Sequence, residues 1–429
     1  MPHPDLLVHS IDSLYTINPS LGDKSVVGLI KDASVGFRDG RVVFIGPSDS
    51  SEAEEARGAA TQTIDGTGLV GLPGLVDCHT HSVWAGSRAD EFARRLAGAK
   101  YEDIAKAGGG ILSTVENTRK ASLEELISNC RGRVANMTRR GVTTVEVKSG
   151  YGLTPEAEAK MLRAARAVGE DSSRIVTTFL GAHALPREFR DAMGRKKYVQ
   201  QVINDQLPLV MQHGLADNVD VFCDSIGFTL DEARDILVAG QRAGLQVKAH
   251  AEQIKHTGCT SLVAELGGLS ADHLEQVAAD DIAAMREKNV VAVCLPGAQM
   301  YLHDRPPPVV DFRAAGVKMA VATDLNPGSS PVHDLWTTAT LACVLQGMTI
   351  EEAVEGITRN AGLAVGRPDV GWLGVDGSVG DLALFRTQPG DPSTIASLIQ
   401  NIGGHTTELV IRDGKIVHDP NSNKRQRMQ

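Results

Sequence analysis

The chain has 429 residues, 42% of them hydrophobic, 22% charged and 4% aromatic, the composition of a folded globular protein with room for a large core. Its 43 Lys and Arg against 53 Asp and Glu leave a net charge of −10, which argues against nucleic acid or an anionic membrane as partner, since both need concentrated basic surface. No run of 18 apolar residues predicts a membrane span and MPHPDLLVHS lacks a secretory pattern; Cys78, Cys130, Cys223, Cys259, Cys294 and Cys343 form no CxxC and read as reduced thiols, so a cytoplasmic protein is expected.

Near the start, ASVGFRDGRVVFIG places two β-rich runs around Asp39-Gly40, a strong hairpin signal because the turn needs positive φ. The middle of the chain changes rhythm. Eight apolar, β-branched runs appear in order: LPGLVDCHTH, VTTVEVKSG, RIVTTFLGAHA, NVDVFCD, LQVKAHAEQ, LSADHLE, VVAVCLPG and KMAVATDLNPG. Between them lie segments of helical spacing such as TPEAEAKMLRAARAVG and LDEARDILVAGQRAG, and Ser122 with Glu125 fits a capping box. Near the end, ELVIRDGKIVHD repeats the hairpin pattern around Asp413-Gly414, and the last residues, NSNKRQRMQ, read as a frayed polar tail.

Eight strands alternating with helices predict an α/β fold, a (β/α)8 TIM-like barrel, over residues 66–367. A doubly wound open sheet is the structural alternative, but no GxGxxG follows a strand. Neither chain end has enough strands to bury a face alone, so residues 1–65 and 368–429 are expected to build one small composite β-sandwich together.

The ends of the eight runs carry polar residues that apolar strands should not have. They are His79 and His81, then Lys148 and Tyr151, His183, Cys223 and Asp224, His250 with Gln253, His273, and Asp324 with Asn326. Carboxyl ends of barrel strands line the active-site mouth, and imidazoles gathered there with a carboxylate are a metal constellation. Residues i and i+2 of a strand face the same way, so His79 and His81 can address one ion.

The pattern HTH, His, His, Asp at these strand ends resembles the amidohydrolase superfamily. GLPGLVDCHTH, GGGILSTVENTR, TTVEVKSGYGL, FLGAHALP, KAHAEQ, SADHLE and VATDLNPGSSP together resemble its imidazolonepropionase family over essentially the whole chain. The resemblance implies hydrolysis of the cyclic amide of 4-imidazolone-5-propanoate to N-formimidoyl-L-glutamate in histidine breakdown. It implies one divalent metal, Zn or Fe, on His79, His81, His250 and Asp324, and substrate contacts from Arg88, Tyr101, Tyr151, His183, Gln253, Asn326, Gly328 and Ser329. The small substrate carries a carboxylate, and a homodimer is implied as well. Superfamily members with two metals bridge them by a lysine at the end of strand four; NVDVFCD offers none there and Lys148 lies on strand two, which favours one metal.

Asp324 is placed to move the proton of the attacking water to the leaving nitrogen, and His273 to hydrogen-bond the water or the oxyanion. Where the family has Glu or Gln, this chain has Gln253, which cannot act as a base, and the adjacent Glu252 need not face the same way. Arg88 suits a carboxylate held by two parallel bonds, or a salt bridge to Asp90 or Glu91. NPGSS, residues 326–330, suits either a cradle of backbone N–H groups or a plain tight turn. Tyr151 either contacts the flat substrate ring or packs. Glu146 and Lys148 alternate on strand two and suit a buried pair, and the glycines at 108–110 lack the following Lys-Ser/Thr of a phosphate loop. A ring deaminase of the same superfamily is the alternative function, although a neutral base gives Arg88 no task; a barrel without catalysis is the remote one.

Overall fold

The computed structural model describes residues 3–98, 110–169 and 172–422. Strands β1 (Leu6–Tyr15), β2 (Leu29–Arg38), β3 (Arg41–Pro47), β4 (Gln62–Asp65) and β5 (Val70–Pro73) come first. The eight runs then follow as β6 (Leu75–Asp77), β7 (Val142–Lys148), β8 (Arg174–Ala182), β9 (Asn218–Cys223), β10 (Gln246–Ala251), β11 (Ser270–His273), β12 (Val291–Cys294) and β13 (Met319–Val321). They pair in parallel in sequence order, with helices between them, as expected of a (β/α)8 barrel. Of the capping box expected at Ser122 and Glu125, the Ser122 half is formed, its side chain accepting the Glu125 N–H; Thr154 caps the helix that begins at Pro155, and Thr229 and Glu232 form a full capping box.

No ladder joins β13 back to β6 among the described residues. The seam closes by an isolated bridge between Thr80 and Leu325, in which Asp324 N–H donates to the His79 carbonyl at 3.0 Å and His81 N–H to the Leu325 carbonyl at 2.9 Å. One turn deeper, the Asp77 carboxylate accepts both the Thr323 N–H (3.1 Å) and its hydroxyl (2.6 Å).

The chain ends do combine, and they do so in one mixed eight-stranded sheet. β14 (Leu382–Arg386), β15 (Thr406–Arg412) and β16 (Lys415–His418) extend the row β3, β2, β1, β5 on the β5 side, while β4 pairs with β1. β1 can serve β4 and β5 in succession because its register breaks between Val8 and Ile11, with Ser10 at φ 57°. The core of this unit draws on both ends, including Leu6, Ile11, Val35, Leu384 and Ile411. Both predicted hairpins have their Asp and Gly at positive φ, and the two turns meet: Gly380 donates to the Gly40 carbonyl and accepts from Gly414 N–H, each at 2.8 Å.

The sheet packs beside the amino ends of β6, β7 and β8, away from the carboxyl ends where the predicted site residues lie. Gly141, at φ 95°, leaves room for the Phe385 ring, which a Cβ would approach to 2.5 Å. Arg174, at the start of β8, reaches Asp381 at 2.9 Å and Asp413 at 2.5 Å. Removing one partner of a mostly buried ion pair leaves the other uncompensated, so Arg174→Ala is expected to cost about 3 kcal/mol, read as a lower urea midpoint at constant slope. An unchanged midpoint would show that the clamp contributes nothing.

Candidate metal centre

His79 and His81 lie just past β6, His250 near the end of β10, and Asp324 just past β13, and all four are buried. One ring nitrogen from each imidazole lies within 4.8 Å of the other two. Asp324 Oδ1 sits 3.4 Å from His79 Nε2 and 3.5 Å from His81 Nε2, and His81 Nε2 sits 3.4 Å from His250 Nε2. A tetrahedron with bonds of about 2.1 Å has edges of about 3.4 Å, so these separations suit one ion of zinc's dimensions. His79 Nε2 is buried without a hydrogen-bond partner.

The outer nitrogens explain the inward aim. His79 Nδ1 donates to Asp272 Oδ2 at 2.6 Å and His250 Nδ1 donates to Asp220 Oδ1 at 3.0 Å, which leaves each Nε2 with its lone pair directed at the cluster. Asp324 adopts φ 50° and His273 φ 83°, conformations that side chains seldom take and that bring both residues to the mouth. The His273 ring lies 5.5 Å from that of His250 and 5.9 Å from that of His79. Burial opposes its protonation, but Glu275, 3.9 Å from Nδ1, together with Asp324 and Asp272, outweighs burial and raises its pKa.

The other predicted residues divide. His183 stacks on His81 at 4.9 Å and 13°; its Nδ1 donates to the Gly150 carbonyl at 3.1 Å, so Nε2 is an acceptor. Burial and the neighbouring imidazoles of His81 and His250 hold it well below the usual imidazole range. Tyr151 is buried with its ring 5.8 Å from His81. Gln253 is half-buried in the bend after β10. Glu252 faces elsewhere: its carboxylate accepts the N–H groups of Thr257, Cys259 and Thr260 around the start of helix Cys259–Glu265. Tyr101 lies outside the described residues, as do Gly108 and Gly109 and most of the basic tail.

Arg88 forms the salt bridge that the sequence left open, with Nε 2.9 Å and Nη2 2.5 Å from Glu91. The guanidinium also lies against Gly328, where a Cβ would come within 2.5 Å of Nη1. With Trp84, Arg133 and Tyr301 it lines a cavity of about 370 Å3 whose lining includes none of the four donors. The turn at 324–329 joins the two places. Its Gly328 and Ser329 N–H groups both donate to Asn326 Oδ1 at 2.8 Å, so the tight turn is formed and these N–H groups are engaged within it rather than open as a cradle. Asn326 Nδ2 in turn reaches Asp324 Oδ2 at 3.1 Å.

Sequence reasoning missed Glu158. It is buried, and its carboxylate accepts the N–H groups of Gly150, Gly152 and Leu153 at 2.7 to 2.9 Å, which fixes the loop carrying Tyr151 and the carbonyl that holds His183. An acidic residue in the first turn of an amphipathic helix looks like an ordinary dipole partner, so only the fold exposes this role. Glu158→Gln sets an amide N–H2 against backbone N–H donors and is expected to destabilise the protein by about 1 to 3 kcal/mol. Thermal unfolding followed by circular dichroism reads this, and an unshifted midpoint would contradict the assignment.

Residues 70–417 match the Amidohydrolase family. The chain is 46% identical to an imidazolonepropionase of Maricaulis maris, across 88% of this chain and 91% of that one, and 44% identical to an imidazolonepropionase of Polaromonas sp., across 93% and 92%. A crystal structure of an adenosine deaminase from Xanthomonas campestris with bound zinc superposes with a TM-score of 0.71 at 19% identity, covering 97% of this chain and 93% of that one, a likeness of fold. The chain therefore belongs to the amidohydrolase family and, within it, to the imidazolonepropionases.

Proposed function

We propose that the enzyme opens the cyclic amide of 4-imidazolone-5-propanoate to N-formimidoyl-L-glutamate, with His79, His81, His250 and Asp324 holding one divalent ion, Zn or Fe. The observation that carries the reading is the convergence of three imidazole nitrogens within 4.8 Å of one another with a carboxylate oxygen 3.4 and 3.5 Å from two of them, in a member of this family. When bound, such an ion supplies Lewis-acid polarisation and acidifies water. Asp324 takes the proton of the attacking water and returns it to the ring nitrogen that leaves, while Asn326 orients its Oδ2. His273, raised in pKa beside Glu275, donates to the developing oxyanion. His183 and Tyr151 receive the planar ring, and Gln253 hydrogen-bonds it without acting as a base.

The propionate is assigned to the Arg88 guanidinium, which Glu91 fixes at two nitrogens and Gly328 admits at close range, with Ser329 completing the turn beneath it and Tyr101 a further contact. Family resemblance supports a homodimer. Six free cysteines support the cytoplasm, and no helix among the described residues is long and apolar enough to cross a membrane.

Freshly prepared substrate is expected to lose its imidazolone absorbance and yield N-formimidoyl-L-glutamate, with about one metal per chain on the same sample. Chelation is expected to stop turnover and Zn or Fe to restore it. Ammonia released from a ring-deamination panel, with the imidazolone untouched, would sink the assignment. Arg88→Ala is expected to raise KM more than it lowers kcat; an equal fall of kcat and kcat/KM would place Arg88 at the reacting atoms instead.

A further inference from the structure

Beneath the quartet lies a closed layer of five charged side chains, none of them exposed to solvent: Glu146, Lys148, Asp220, Lys248 and Asp272. They come from β7, β9, β10 and β11, with Glu146 and Lys148 alternating on β7 and Lys248 alternating with the ligand His250 on β10. Two arms rise from this layer to the quartet. In one, Lys148 Nζ lies 2.6 Å from Asp220 Oδ2, and Asp220 Oδ1 accepts both the Nδ1 and the backbone N–H of His250. In the other, Lys248 Nζ donates to the Cys78 carbonyl at 3.0 Å, the residue before His79, and lies 3.8 Å from Asp272, which accepts His79 Nδ1. Glu146 joins the arms, 2.9 Å from Lys148 and 3.1 Å from Lys248.

We propose that Lys148 and Lys248 are positioning residues for the ion: each holds the carboxylate or carbonyl that aims one ligand histidine. The inference rests on the metal reading above. Both lysines bond to groups behind the histidines and neither bonds to a donor atom of the quartet, so their effect on chemistry is expected to run through His250 and His79.

The test is zinc affinity of metal-stripped full-length protein, by competition with a chromophoric chelator, together with the visible spectrum of the cobalt(II)-loaded form. Lys148→Met and Lys248→Met are each expected to weaken zinc binding 10- to 100-fold, the loss typical of outer partners of ligating histidines, and to alter the cobalt bands. A merely structural lysine would lower the thermal midpoint of the metal-free protein while leaving zinc affinity within twofold of wild type and the cobalt spectrum unchanged, and that result overturns the proposal. Where a lysine variant does not fold, the shape-keeping Asp220→Asn and Asp272→Asn are read in the same way, with the same expected loss and the same overturning result. Wild-type protein that takes up no zinc or cobalt overturns the metal reading itself and this inference with it; wild-type uptake with unaffected variants overturns the inference alone.

Discussion

β6 and β13 meet without a ladder, and the barrel closes where Asp324 donates to the His79 carbonyl and His81 donates to that of Leu325. The side chains of the same residues supply three of the four converging donors. Closure of the fold and assembly of the site are thus one event: a seam that slips by one residue would turn His79, His81 and Asp324 away from His250. Asp77 and Thr323, bonded across the same seam, set the register from below. Metal held at the quartet would bind only the closed barrel and so favour it by mass action.

The buried charges give this arrangement its precision at some cost in stability. Ion pairs withdrawn from water gain little over well-packed apolar residues, so the layer under the quartet is poor evidence of a stabilising device. Its geometry accounts for it better. Asp220 and Asp272 each have a lysine on one side and an imidazole on the other, and a histidine held in this way cannot rotate or exchange tautomers without breaking a buried bond. The surrounding apolar core, which runs through all eight strands and most of the helices, offsets what the charges cost.

Legibility from sequence followed locality. The eight β-branched runs, the HxH pair and both Asp-Gly turns are features of a few adjacent residues, and each appears where expected. Partnerships across the fold were hidden. Glu146 and Lys148 were readable as a buried pair, but Lys248 was passed over even though it stands two residues before His250 and must share its inward face. Asp220 and Asp272 carried the same signal, as charges in otherwise apolar strands. Glu158 carried none, since its three partners are backbone groups of a loop. The Arg88 guanidinium stood between two readings, and a bidentate bond to Glu91 three residues on is consistent with either a bridge or a preorganised clamp.

The shared end sheet has a consequence for synthesis. β5 leaves the ribosome with one edge paired to β1, and its other partner, β14, follows roughly three hundred residues later. At about 5 to 20 residues per second this edge waits on the order of 15 to 60 s for its neighbour. During that interval the barrel's eight strands emerge beside an unpaired apolar strand able to capture them. The meeting of the Asp39-Gly40 and Asp413-Gly414 turns across Gly380 needs residues from both ends of the chain and so cannot form before the second hairpin has been synthesised.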